Sequence, residues 1–147
     1  MLKKVFPRKE VCIGCHLCEI ACLTAHSQSK DVIIAWTQER AEGLETCKTV
    51  VHKGSACVAL SCRHCEEPIC VAACISGALY KDLASGRTVY LKEKCVGCWS
   101  CMMACPYGAI SRHPVEAKIV KCDRCPDLEV PACVTACPNL ALKYEER

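Results

Sequence analysis

A chain of 147 residues and 16.1 kDa has room for one ordinary domain or two very small ones. Its hydrophobic fraction of 52% includes 18 cysteines, while Val, Ile, Leu and Phe together number only 33, so apolar burial alone yields a thin core and something else must hold the fold. A formal net charge of +3 is too mild to indicate nucleic acid, and no apolar run reaches the roughly 18 to 20 residues that cross a bilayer.

The opening residues, Met1 to Glu10, lack an apolar h-region, a twin arginine and a cleavage site, so no signal peptide is expected. The chain therefore reads as cytoplasmic, in a compartment that keeps thiols reduced. A β-type segment, Leu2–Arg8, leads into Cys12, Cys15, Cys18 and Cys22, with a short helix expected over Glu19–Ala25. Leu23–Ser61 carries no quartet of its own and contains Trp36 and the polar run Gln38–Glu45; it is expected to cover the rest as a helix or a hairpin. Its end, Thr49–Leu60, is β-type and precedes Cys62, Cys65, Cys70 and Cys74, with a helical piece over Ile69–Ser76. Thr88–Lys92 precedes Cys95, Cys98, Cys101 and Cys105, with a helix over Met102–Tyr107. Lys118–Lys121 precedes Cys122, Cys125, Cys133 and Cys137, with a helix over Ala132–Ala136. Ala141–Glu145 could close the chain by pairing with Leu2–Phe6, and Gly77, Gly86 and Gly108 mark turns.

The four quartets are spaced C-x2-C-x2-C-x3-C, C-x2-C-x4-C-x3-C, C-x2-C-x2-C-x3-C and C-x2-C-x7-C-x3-C. All open with C-x2-C and close with C-x3-C, which is a fourfold internal repeat. A C-x2-C-x2-C loop wraps three thiolates around one small object, with backbone N–H groups turned toward sulfur. A [4Fe–4S] cubane is such an object, and the run ending C-x3-C-P, seen at Cys105-Pro106 and Cys137-Pro138, is the mark of two-cluster ferredoxins, whose fourth cysteine serves the other cluster. That fourth cysteine is expected at the start of a short helix, pointing away from its own loop. Zinc would use pairs of C-x2-C without the recurrent third cysteine, and a disulfide scaffold would need export.

The phrases Cys62-Arg-His-Cys-Glu-Glu-Pro-Ile-Cys, Cys95-Val-Gly-Cys-Trp-Ser-Cys-Met-Met-Ala-Cys-Pro-Tyr-Gly-Ala-Ile and Lys121-Cys-Asp-Arg-Cys-Pro-Asp resemble four-cluster polyferredoxin subunits of the dimethyl-sulfoxide-reductase and formate-dehydrogenase type. Within that group the chain is similar to the small cytoplasmic iron–sulfur proteins that accompany carbon monoxide dehydrogenase, hydrogenase or formate dehydrogenase. The resemblance implies an α+β fold of two bacterial-ferredoxin-like modules. An outer one comprises residues 1–30 plus 116–147 and an inner one residues 57–115, with 31–56 as a connecting cover. It also implies four [4Fe–4S] clusters with shared ligands: Cys12, Cys15, Cys18 and Cys137; Cys122, Cys125, Cys133 and Cys22; Cys62, Cys65, Cys70 and Cys105; Cys95, Cys98, Cys101 and Cys74. Pairing quartet one with two and three with four is the alternative that spacing leaves open. After Pro138 the family has Thr-Gly where this chain has Asn139-Leu140, a departure expected to loosen one turn.

The remaining candidates are weaker. Cys47 and Cys57 read as small, buried, inert side chains, or else as a regulatory disulfide or an extra metal site. His16 and His64, inside ligand loops, read as hydrogen-bonding or solvated groups. Trp99 and Tyr107 read as shields, and Arg63, Lys94, Lys121 and Arg124 as charge compensation. Sixteen thiolates and four oxidised cores of about +2 each would bring the formal charge to about −5, which again disfavours nucleic acid. With no dinucleotide loop, P-loop or nucleophile–base pair, the expected role is non-catalytic: a subunit of an anaerobic oxidoreductase complex that relays single electrons. The expected partners are a carbon monoxide dehydrogenase, hydrogenase, formate dehydrogenase or aldehyde oxidoreductase and a second acceptor or donor protein, without membrane insertion. A filament-forming structural subunit and a reductase with a labile cluster iron are the alternatives, and Pro126–Pro131 is a candidate docking loop.

Overall fold

The computed structural model describes residues 3–146. Eight short strands and five helices follow the order β1 (Lys4–Pro7), α1 (Leu17–His26), α2 (Val32–Ile34), β2 (Thr49–Lys53), β3 (Ala56–Leu60), α3 (Ile69–Ala72), β4 (Leu79–Asp82), β5 (Arg87–Tyr90), α4 (Ser100–Ala104), β6 (Ile110–Arg112), β7 (Ile119–Lys121), α5 (Ala132–Thr135) and β8 (Leu142–Glu145). The strands form four antiparallel pairs: β1 with β8, β2 with β3, β4 with β5 and β6 with β7. This is an α+β fold in which no strand has two neighbours, so the elements are stabilised by what they enclose rather than by extended sheets.

The β1–β8 register, Lys4 opposite Glu145 through Pro7 opposite Leu142, joins the two ends of the chain and brings quartets one and four together. Leu2, at the edge of the expected first strand, lies outside the described residues. The expected cover contains both alternatives. A helix from Val32, continued by a π-helical turn over Ala35–Glu39, packs on α1, and β2–β3 is a hairpin closed at Gly54. Asp31 caps that helix, accepting from the N–H groups of Ile33 (2.8 Å) and Ile34 (3.0 Å). Strands β4 and β6 fall outside the expected elements; each is the second partner that a predicted strand needs.

Two small cores replace a single large one. Cys18, Val50, Ala59, Cys133 and Leu142 form the first, so the β2–β3 hairpin sits on the same core as quartets one and four. Leu79, Cys101, Ile110 and Ile119 form the second, flanked by Cys70, Cys74 and Cys105. Cysteines make up a large part of both.

Candidate metal centres

Each quartet places its third cysteine at the second position of a helix: Cys18 in α1, Cys70 in α3, Cys101 in α4 and Cys133 in α5. The fourth lies inside the helix (Cys22), at its cap (Cys105) or just beyond it (Cys74, Cys137). The expectation that the fourth cysteine opens a helix is therefore corrected. One helical turn separates the two sulfurs, which lets one helix serve two neighbouring sites.

The loops share one backbone conformation. The residue two after each opening cysteine is left-handed: Gly14 (φ 66°), His64 (φ 48°), Gly97 (φ 70°) and Arg124 (φ 66°). In that shape successive N–H groups turn inward. His64 N–H donates to Cys62 Sγ and Arg124 N–H to Cys122 Sγ, both at 3.4 Å. Ala141 N–H reaches Cys137 Sγ at 3.2 Å. The turn at Asn139-Leu140 is not loosened. Leu140 adopts φ 51°, beside 65° for Gly77 and 57° for Gly108 at the same place in their repeats, and makes the same turn back to its closing cysteine. The departure from Gly costs backbone strain instead.

Three cavities gather the sulfurs. One is lined by Cys12, Cys15, Cys18 and Cys137, a second by Cys62, Cys65, Cys70 and Cys105, and a third by Cys95, Cys98, Cys101 and Cys74. In each, three cysteines of one loop meet the closing cysteine of another quartet. Cys22 in turn lies within electrostatic reach of Cys122, Cys125 and Cys133. Quartet one thus meets quartet four, and quartet two meets quartet three.

Burial pushes the thiols of Cys18 and Cys101 up to about 11 and that of Cys122 up to about 12, with neighbouring cysteines raising each further. Crowded, desolvated sulfurs of this kind resist ionising on their own and need a cationic core between them. The donor set and the inward N–H groups fit a [4Fe–4S] cluster, which takes four thiolates.

Residues 54–147 match the 4Fe-4S dicluster domain family. The chain belongs to that family. The chain is 34% identical over 155 residues to an iron-sulfur protein of Rhodospirillum rubrum, an alignment covering 95% of this chain and 80% of the relative. It is 36% identical over 140 residues to the B subunit of the anaerobic dimethyl sulfoxide reductase of Escherichia coli K12, covering 90% and 68%. It is also 34% identical over 152 residues to the electron transport protein HydN of the same organism, covering 92% and 83%. The chain is thus an iron–sulfur protein with [4Fe–4S] clusters as its cofactor, in a group of electron-transfer proteins. Among the described residues no helix is long and apolar enough to cross a membrane.

Several neighbours of these sulfurs are not visible in the sequence. Cys47 is half-buried and lies against Cys22: that neighbouring sulfur and burial push its own thiol far up, while Cys47 and His26, working against burial, hold Cys22 down to about 4. His26 touches Cys22 Sγ through Nδ1 (3.8 Å) and Asp123 Oδ1 through Nε2 (3.0 Å), and Asp123 also accepts from Cys125 N–H at 2.8 Å. Cys57 faces His52 Nδ1 at 3.1 Å, and His52 meets His16 across 3.2 Å. The Tyr90 hydroxyl bonds to Cys95. Arg63 stacks on Tyr107 and Arg112 on Trp99, placing cations over both aromatic rims. Lys121 donates to the carbonyls of Thr88 (2.6 Å) and Cys122 (2.9 Å), and Arg124 to those of Lys3 and Ser85. Among the described residues, Lys94 makes no side-chain ion pair.

Proposed function

We propose that the chain is a four-cluster electron-transfer subunit, without catalysis of its own, that relays single electrons between a catalytic oxidoreductase and a second acceptor or donor protein. A carbon monoxide dehydrogenase, hydrogenase, formate dehydrogenase or aldehyde oxidoreductase is the class of catalytic partner, and the cytoplasm is the compartment. A bound [4Fe–4S] cluster takes up and returns one electron at a time. Cys12, Cys15, Cys18 and Cys137 hold one, Cys122, Cys125, Cys133 and Cys22 the next, Cys62, Cys65, Cys70 and Cys105 the third, and Cys95, Cys98, Cys101 and Cys74 the last. Residues 1–30 with 116–147 form the outer module and residues 57–115 the inner one, whose first residues, in β3, pack through Ala59 on the outer core.

The observation that carries this reading is the crossing of closing cysteines between quartets. It makes α1 and α5 shared walls of two sites in the outer module and α3 and α4 shared walls in the inner one. Cys122 is also within electrostatic reach of Cys62, so the two modules meet at sulfur. Cys15, in the outer module, and Cys98, in the inner one, are exposed, which leaves in each module a ligand facing solvent where a redox partner can approach.

Iron and sulfide analysis with EPR of anaerobically reduced protein tests the proposal. About sixteen irons per chain and four reducible centres are expected; half that number, or fewer, overturns it.

A further inference from the structure

Lys48 is the largest of the fully buried side chains, with 2% of its surface exposed. Buried ammonium groups normally carry carbonyl or carboxylate partners, because desolvating an unpaired charge is costly. Lys121 has two carbonyl partners, and Lys81 has three, those of His64, Cys65 and Gly86. Lys48 Nζ has one neutral partner, Ser61 Oγ at 2.7 Å. Among the described residues no carboxylate pairs with it. Its compensating charge has to come from elsewhere.

The backbone shows where. Cys47, the preceding residue, bonds to Cys22. Val50, two residues on, packs in one core with Cys18 and Cys133. Ser61, the hydroxyl partner, precedes Cys62 in the chain. Thr46 Oγ1 pins the Lys48 backbone by bonding both its N–H and its carbonyl at 3.2 Å. Lys48 and Val50 lie two apart on the run into β2 and are both buried, so the lysine side chain enters the protein on the side of Cys18 and Cys133, one cysteine from each site of the outer module. Lys48 is also within electrostatic reach of Cys18 and Cys133, one from each site, and of Cys122.

We infer that Lys48 is an internal counter-ion shared by the two clusters of the outer module, and that it raises the reduction potential of both relative to a chain with a neutral residue there. Reduction adds one electron to a thiolate-ligated centre that is already anionic, and a fixed cation beside it favours the reduced form. Solvent screens a surface lysine but does not reach this one. One charge acting on both sites shifts them together and leaves in place the inner module, where Lys81 holds the carbonyls of His64 and Cys65 and Lys121 of the outer module is the cation within reach of Cys70. This inference rests on the ligand assignment proposed above.

The test is an EPR-monitored redox titration of anaerobic, fully loaded full-length protein, with Lys48→Met and Lys48→Arg beside wild type. Wild type must first hold about sixteen irons; a shortfall there defeats the ligand assignment, not the role of Lys48. With iron complete, Lys48→Met is expected to move two of the four midpoint potentials downward and leave two in place, while Lys48→Arg keeps all four near wild type. Four unchanged potentials, or four that move equally, overturn the inference. Should Lys48→Met lose iron, Lys48→Gln, uncharged but polar, carries the same criterion.

Discussion

Quartets one and three differ from quartets two and four in how they make the same loop. In one and three, the left-handed position two after the opening cysteine is Gly14 or Gly97, and the helix is entered through a second left-handed residue, His16 or Trp99. In two and four, the glycine is replaced by His64 or Arg124, and the helix is entered through Pro68 or Pro131 after a longer loop. The compact loops leave Cys15 and Cys98 exposed. The expanded loops come within electrostatic reach of each other, Arg124 of His64 and Cys62 of Cys122. There His64, only 2% exposed, accepts Thr88 N–H at 3.0 Å, and Arg124 reaches Lys3 and Ser85. Where the backbone needs only to turn, glycine suffices. Where it must also build a junction, a side chain is kept despite the left-handed strain.

Removing the metal should erase the contrast altogether. Two small cores rich in cysteine leave little apolar surface to hold the elements together, so anaerobic chelation of iron is expected to abolish the compact state. Far-UV circular dichroism and size exclusion would show it, and retention of the native hydrodynamic radius would contradict it. Next in size is the effect of a closing cysteine. Cys137→Ser should lose about four irons from the site of quartet one while the inner module keeps its own; iron analysis and EPR distinguish this from loss at both outer sites.

Smaller effects sharpen the comparison within a loop type. A Cβ on Gly97 would collide with the backbone carbonyl oxygen of Ala117, whereas one on Gly14 would meet the movable side chains of His52 and Cys57. Gly97→Ala should therefore cost about 3 kcal/mol and Gly14→Ala about 1 kcal/mol, read from the midpoints of anaerobic guanidinium bleaching. His64→Ala removes the acceptor of Thr88 N–H from a buried junction without relieving the left-handed strain, and should cost about 2 kcal/mol in the same measurement. Leu140→Gly should stabilise by about 1 kcal/mol, because its φ of 51° suits glycine and the leucine side chain is 60% exposed. Equal behaviour of Gly14→Ala and Gly97→Ala would remove the claim that the surroundings of the two loops differ.

Much of the local structure was legible in the residues. Helices span the x3 steps, although α3 and α4 end short of the expected Ser76 and Tyr107, and the strands near Thr88 and Lys118 stand where β-branched and aromatic residues predict them. Closure by β1 and β8 was visible as two short segments at opposite ends that could pair. The partner strands β4 and β6 were not: they are no shorter than β5 and β7, but Leu79-Tyr-Lys-Asp and Ile110-Ser-Arg lack the adjacent β-branched residues of Thr88-Val and Ile119-Val. Cys47 reads as inert in the sequence because a lone cysteine in a polar segment carries no signal of the sulfur it meets.

Cysteine spacing by itself determined the chemistry, because a C-x2-C loop and a C-x3-C helical turn are local geometries set by a few dihedral angles. Which quartets meet was decided only by the tertiary structure, through the β1–β8 pairing and the packing of α1 on α5. So was the placing of Lys48, Cys47 and His26 against those sulfurs. These contacts link residues up to a hundred or more positions apart, and they arise from the summed packing of the whole chain, which no single motif contains.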